Sequence, residues 1–173
     1  MSRMLRHAVC GCVVMALLSA CTMKVNRVQM DSSRLVGTSK AKVACSFRQG
    51  AVVDARPSTG RAGGLGRHLF LVEDASGIVR DRMAAAGISA DGEGTAVDVR
   101  LLHMYMTQNL STKVPVVVVT AAVGEKPPVT LRSQKASMNW NGSEEEAYRA
   151  YSRAFDDVMA QLVAQLNSGC EVK

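Results

Sequence analysis

The sequence predicts a single α+β domain in which two helices pack on one face of a four-stranded mixed sheet. Three observations indicate this fold. Residues 144–167 repeat apolar side chains with the 3.6-residue period of a helix. Residues 113–123 form a nearly continuous β-branched run, as in a strand covered on both faces. Residues 73–86 begin with acidic side chains and end at Gly87, as in a shorter helix. The predicted order is strand, helix, strand, strand, strand, helix.

The first twenty-one residues have the layout of a secretory signal peptide. A short basic start leads into an apolar run from Ala8 to Ala20, which ends in small residues before Cys21. This run is shorter than the roughly 20 residues that a membrane-spanning helix needs. Its end, Leu-Ser-Ala-Cys, resembles the bacterial lipobox. That resemblance implies that residues 1–20 are a lipoprotein signal peptide and that an acylated Cys21 holds the protein on a membrane.

The residue after the cysteine bears on the destination of the protein. Thr22, rather than aspartate, follows Cys21. By resemblance to the sorting pattern of enteric lipoproteins, this favours a lipid anchor in the cell outer membrane, with the domain facing the periplasm. The alternative for this segment is an ordinary signal peptide and an unmodified Cys21.

Basic residues are concentrated next to the predicted anchor. Residues 22–67 contain nine Lys or Arg and two acidic residues, whereas residues 68–173 contain ten Lys or Arg and thirteen acidic residues. Residues 21–41 lack a sustained hydrophobic period, which predicts a lipidated cysteine with a flexible basic tether, followed by a periplasmic domain over 42–173. Such a basic segment attracts anionic headgroups or phosphorylated glycolipid. Solvated tether charges without a specific partner are the alternative.

A glycine-rich loop follows the first predicted strand, which spans 42–55. The loop contains four glycines and lacks the spacing of nucleotide-binding motifs, so we expect a mobile loop rather than a nucleotide site. Its basic side chains, Arg56, Arg61 and Arg67, are candidate contacts for an anionic ligand. Because Asp54 lies two residues before Arg56 on the strand end, a structural ion pair is the alternative for Arg56.

The second half of the chain predicts three strands and the long helix. Alternation indicates a strand over 95–107, the β-branched run gives a strand over 113–123, and a further strand spans 129–140. The last helix begins at a capping box, with Ser143 as N-cap and Glu146 three residues on.

The cysteines predict one disulfide. Cys10 and Cys12 leave with the signal peptide and Cys21 is used for lipid, so Cys45 and Cys170 remain in a compartment that permits disulfides. A right-handed first crossover makes the first two strands parallel. The last helix then runs against the first strand, which brings Cys170 beside the start of that strand. Topology and counting therefore both favour a Cys45–Cys170 bond.

No motif in the sequence indicates catalysis, and we expect no enzymatic activity, no metal and no cofactor. The mature chain has two histidines, His68 and His103, in separate elements and without the spacing of metal ligands. The rival interpretation is a periplasmic enzyme with its site on the 56–68 loop, using His68 and Asp54.

In layout, the chain resembles the YajG-type small lipoproteins of Gram-negative bacteria. The resemblance rests on the lipobox, the tether, a first strand ending Val-Val-Asp-Ala-Arg at 52–56, a helix ending Ala-Gly at 86–87, three strands and a long terminal helix. It implies an envelope lipoprotein without an established enzymatic role. The order of elements is also similar to that of the LPS-assembly lipoprotein LptE, which supports an outer-membrane barrel and contacts lipopolysaccharide, and to that of auxiliary lipoproteins of lipid-transport ABC systems.

The sequence therefore predicts a non-enzymatic binding or assembly module, anchored through Cys21. Its expected partners are the membrane and an outer-membrane protein or anionic glycolipid, and no nucleic acid. An auxiliary role in a lipid-transport system is the alternative.

Overall fold

The structure is a computed structural model that describes residues 24–35, 37, 40–108, 112–134 and 143–170. In chain order, its elements are β1 (Asn26–Gln29), a 3-10 helix (Ser32–Leu35), β2 (Phe47–Asp54), β3 (Gly60–Leu65), β4 (His68–Val72), α1 (Ala75–Ala85), β5 (Thr95–Gln108), β6 (Lys113–Val123), β7 (Val129–Arg132) and α2 (Glu144–Asn167).

The larger sheet is the predicted four-stranded mixed sheet. Its order is β2-β5-β6-β7, with β2 parallel to β5 and the other two pairs antiparallel. Both helices pack on one face of this sheet and share a single apolar core with it. The prediction of one α+β domain with helices packed on a sheet is confirmed.

Local sequence signals place the ends of both helices. Asp74 caps α1, because its carboxylate accepts a hydrogen bond from the Gly77 amide at 2.7 Å. After the last turn, Gly87 adopts a positive φ of 95°, and the Ile88 amide donates to the Met83 carbonyl at 2.9 Å. This is the arrangement in which a glycine ends a helix. The capping box of α2 is also present, so Ser143 begins the long helix as predicted.

A second sheet, of three strands in the order β1-β4-β3, was not predicted. The predicted mobile loop over 56–67 instead contains all of β3, which pairs with β4 as an antiparallel hairpin. Glycines permit this path, since Gly60, Gly63 and Gly66 all have positive φ. A short strand rich in glycine carries no hydrophobic alternation, so the sequence shows only the signature of a loop.

The segment predicted as a tether also differs from the expectation. Residues 26–29 form β1, which pairs in parallel with β4, and Met30 and Leu35 are buried in the core. The folded structure therefore includes β1 and the 3-10 helix, which precede the start expected at residue 42. Single apolar residues anchor this segment, and they leave no periodic pattern in the sequence.

Both helices hold the N-terminal segment in place. The Asp31 amide donates to the Tyr148 hydroxyl on α2 at 2.7 Å. Arg82 on α1 is almost fully buried, and its guanidinium donates to the Leu35 carbonyl at 2.6 Å and also pairs with Asp156 on α2. Because buried charges need partners, Arg82 stabilises the junction of the two helices and the N-terminal segment only while these contacts are made.

Candidate anion-binding surface

The three arginines that the sequence singled out lie in two different environments. Arg61 is exposed on β3, and Arg67 is exposed in the turn between β3 and β4. Arg56 is buried, with a side chain only 2% exposed. The candidate contacts therefore separate into a surface pair and a structural residue.

Arg56 forms a structural ion pair rather than a surface contact. Its guanidinium donates to both carboxylate oxygens of Asp54, from Nε at 2.8 Å and from Nη2 at 2.6 Å. It also donates to the carbonyls of Arg61 and Val72 at 2.7 and 3.2 Å. These bonds connect the end of β2 to both strands of the β3–β4 hairpin. The prediction of Arg56 as a ligand contact is wrong, because its donors are already used inside the protein.

The same contacts set the charge state of Asp54. Burial opposes ionisation of this carboxyl, but the hydrogen bonds and positive charge of Arg56 outweigh burial and hold its pKa below the usual value. Asp54 is therefore an ionised partner of Arg56 at neutral pH and is poorly suited to act as a general base.

Arg61 and Arg67 belong to a surface that β1 completes. On β4, Phe70 and Val72 face the core, so Leu69 and Leu71 lie on the opposite face of the sheet. Strand register places Arg27 and Gln29 of β1 beside these two leucines, and Arg61 of β3 beside Leu71. We name this surface the basic sheet face, and its residues are Arg27, Gln29, Arg61, Arg67, Leu69 and Leu71.

The basic sheet face is cationic and partly apolar. Arg27, Arg61 and Arg67 are exposed, and Lys24 is exposed just before β1, whereas the leucines are half-buried. Strands β1, β3 and β4 contain no acidic residue. Among the described residues, none of the three arginines forms a salt bridge. The surface therefore presents unneutralised positive charge around an aliphatic centre.

Contacts below the sheet fix the position of β3. The Tyr151 hydroxyl on α2 donates to the Ala62 carbonyl, and the Tyr151 ring packs edge-on against Phe70 with 6.1 Å between ring centroids. Burial raises the pKa of Tyr151, so its hydroxyl stays protonated and available as a donor. Arg61 is therefore presented by a strand that is hydrogen-bonded to α2.

A groove of about 350 Å³ adjoins the basic sheet face. Arg61 and Leu69 line one side, and His103 and Tyr105 of β5 line the other. The two sheets meet here at very short range, since a Cβ on Gly63 would lie 2.8 Å from the Tyr105 Cα. The groove extends the cationic surface toward the open face of the larger sheet.

The residues of the rival enzyme interpretation are not brought together. Arg56 connects Asp54 to Val72 at one end of β4, and the His68 ring lies at the other end, with its Nδ1 3.1 Å from the side-chain Nδ2 of Asn26. Four strand residues at about 3.3 Å each separate the two ends by about 13 Å. Asp54 and His68 therefore do not form an acid–base pair.

The two cysteines that the sequence pairs are adjacent in the structure. The sulfurs of Cys45 and Cys170 are 1.99 Å apart, at disulfide distance, and the Cα atoms are 5.9 Å apart. Cys21 lies outside the described residues. Within the described ranges, no group of three or more His, Cys, Asp or Glu residues is arranged to hold a metal ion. No helix in the described part of the chain is long and apolar enough to cross a membrane.

Comparisons with known proteins identify a similar fold and no family. No family model matches the sequence, and no curated protein matches it. A crystal structure of a Xanthomonas campestris protein, assigned to the family model DUF330, is similar with a TM-score of 0.50 and 10% sequence identity. The likeness covers 84% of this chain and 99% of that one. At this identity the chain is similar in fold to a bacterial protein, and the resemblance to YajG-type lipoproteins and LptE stays a prediction.

Proposed function

We propose that this protein is a lipid-anchored, non-enzymatic module of the bacterial outer membrane that binds anionic lipid or glycolipid headgroups through the basic sheet face. The observation that carries the proposal is the set of exposed cations, Arg27, Arg61 and Arg67, around Leu69 and Leu71. An outer-membrane protein that presents anionic groups is the other partner class suited to this surface.

The chemistry of the surface suits a membrane interface. Each Lys or Arg near an anionic membrane surface contributes about 1 kcal/mol of attraction. Three arginines would together contribute about 3 kcal/mol, which corresponds to a change in affinity of roughly 100-fold. Arginine can also bind a phosphate group through two parallel hydrogen bonds. Leu69 and Leu71, both half-buried, add apolar area between the cations.

The distance to the anchor supports the same orientation. If Cys21 is acylated, only four residues lie between it and the start of β1 at Asn26. Even fully extended, the five residue steps from Cys21 to Asn26 span at most about 18 Å. The domain would therefore lie close to the membrane, rather than at the end of the long tether that the sequence predicted. Lys24 and Arg27, at the start of the fold, would be the first charges to meet the headgroups.

Vesicle binding tests the proposal. We would purify residues 21–173 with Cys21→Ser, which removes the anchor, and measure cosedimentation with vesicles containing about one-third anionic phospholipid. The triple variant Arg27→Glu, Arg61→Glu, Arg67→Glu should lose at least about tenfold in affinity. A matched control reverses three exposed arginines elsewhere, Arg48→Glu, Arg100→Glu and Arg149→Glu, with the same change in net charge.

The control distinguishes a local surface from general charge attraction. We expect the control variant to retain most of its binding and the binding of the unmodified domain to fall as salt concentration rises. If both triple variants lost the same affinity for the vesicles, binding would depend on net charge alone and not on the basic sheet face. Unchanged binding by the first variant would remove the headgroup proposal.

A further inference from the structure

We propose that a second groove, at the other end of the larger sheet, binds a single acyl chain whose anionic end pairs with Lys126. We name it the end groove, and its volume is about 260 Å³. The residues that define it here are Phe47, Thr95, Val123, Val129, Leu166 and Lys126. This site is distinct from the basic sheet face, and the inference does not depend on the function proposed for that face.

The floor of the end groove is the uncovered end of the apolar core. Phe47 begins β2, Val123 ends β6 and Val129 begins β7, and all three are half-buried against the core cluster. Leu166, in the last turn of α2, closes the side opposite the sheet. Strands and helix all end here, so no further element covers these side chains among the described residues.

Lys126 supplies the charge of the end groove. It lies in the turn after β6, where its amide donates to the Val123 carbonyl at 3.1 Å, and its side chain is exposed. Its ammonium is positioned over the end of α2, since a Cβ built on Gly169 would lie 3.5 Å from the Lys126 Nζ. Of the described residues that line the groove, Lys126 alone carries a charged side chain. An apolar floor with one cation at the rim is complementary to an apolar chain with an anionic end.

The size of the groove limits the ligand to one chain. Sites for drug-sized ligands usually measure about 300–1,000 Å³, so 260 Å³ lies just below that range. Such a volume suits a single acyl chain rather than a membrane lipid with two or more chains. Thr95 and Gln165 also line the groove and add polar groups that can bind the carboxylate end.

The end groove is far from the basic sheet face. Thr95 begins β5 and lines the end groove, whereas Tyr105 lies ten residues further along the same strand, beside Gly63 of β3. At about 3.3 Å per residue, these positions are about 33 Å apart. Changes at one site therefore leave the other in place, and the two proposals can fail separately.

Laurate, used below its micelle concentration, is the test probe. We would measure its binding by calorimetry to residues 21–173 carrying Cys21→Ser. Lys126→Glu should raise the Kd for laurate at least tenfold and change the Kd for the neutral analogue dodecanol much less. Thr95→Trp, at an exposed position on the wall of the groove, should fill the groove and weaken the binding of both laurate and dodecanol. Lys113→Glu, at the opposite end of β6, is the control for charge and should leave both Kd values unchanged.

The variants also define the results that would overturn the inference. Each variant is checked by circular dichroism, and Lys126→Glu is expected to fold because the side chain is exposed. No laurate binding, or equal binding by the unmodified domain, Lys126→Glu and Thr95→Trp, would refute the site. If laurate binds only after residues 171–173 are removed, those residues rather than an acyl chain are the occupant of the groove, and the inference is wrong. The triple variant of the basic sheet face should still bind laurate, so failure of the vesicle experiment does not affect this test.

Discussion

Arg56 shows how the same residue type serves two purposes within one short segment. Arg56 and Arg61 are five positions apart, yet one guanidinium is buried against Asp54 and two carbonyls while the other is exposed. The sequence predicted the basic cluster and left open the Asp54 pair, but not which arginine would turn inward. That choice depends on the β3–β4 hairpin, whose carbonyls supply the remaining acceptors for Arg56.

Arg56→Met should destabilise the protein by about 3 kcal/mol, because removing one partner of a buried ion pair takes the guanidinium donors away from the Asp54 carboxylate and from two carbonyls. The free energy of unfolding, measured in urea, checks this value. Arg61→Met is the matched control, and its exposed side chain should change stability by less than about 0.5 kcal/mol. Similar losses in both variants would contradict the assignment of Arg56 as the structural residue.

The pH dependence of the same variants follows from the lowered pKa of Asp54. A depressed carboxyl pKa contributes stability that is complete above the unfolded value of about 3.9 and is lost as the pH falls through the folded value. The difference in unfolding free energy between the unmodified protein and Arg56→Met should therefore be largest near neutral pH and shrink in acid. If the difference in unfolding free energy instead grew as the pH fell into the acid range, the proposed ion pair of Asp54 and Arg56 would be excluded.

At the scale of elements, the sequence predicted the larger sheet and both helices but not the smaller sheet. Long segments such as β5 and α2 can be predicted from the sequence, because their apolar residues recur with the period of a strand or a helix. By contrast, β1 and β3 are short, and β3 contains three glycines. The strand β1 pairs with β4, which is distant in sequence, and β3 is held by contacts with β5 and α2 that are also distant in sequence. The basic sheet face was accordingly only half predicted, since Arg27 belongs to a segment expected to be a flexible tether.

Gly63→Ala should destabilise the protein by more than Gly66→Ala. Both glycines have positive φ, so both substitutions strain the backbone. Only at Gly63 would the new Cβ meet backbone atoms, 2.8 Å from the Tyr105 Cα and 2.9 Å from the Met106 nitrogen, whereas at Gly66 nothing lies within 4 Å. Thermal unfolding of the two variants measures the difference, which we expect to exceed about 1 kcal/mol. Equal losses of stability in Gly63→Ala and Gly66→Ala would mean that the two sheets do not meet at Gly63.

At the scale of the whole molecule, the disulfide joins Cys45, just before β2, to Cys170, just after α2. They are separated by 125 residues, and Asn167 adds to the same junction by accepting from the Ala44 amide at 2.7 Å. The sequence predicted this juxtaposition from strand order alone, because a parallel first crossover and an antiparallel last helix return the chain to its start. Counting the cysteines gave the same pair.

Loss of the disulfide should cost about 4–5 kcal/mol in the chain-entropy model, since the bond closes a long loop in the unfolded chain. The double variant Cys45→Ser, Cys170→Ser should show this loss in urea unfolding. Thiol labelling of the purified mature protein should detect no free cysteine at these positions before reduction and two after it. Two labelled cysteines without reduction would contradict the bond.

Photo-crosslinking in intact cells tests the central claim, which is that the basic sheet face binds an anionic partner at the membrane. We would place a photo-crosslinking amino acid at Gln29, which is exposed among the arginines of that face, and separately at Asp81, which is exposed on α1. We expect adducts with anionic lipid, glycolipid or an outer-membrane protein from Gln29 and few from Asp81. Adducts from Asp81 with none from Gln29 would contradict it and move the binding surface to the helical side of the molecule.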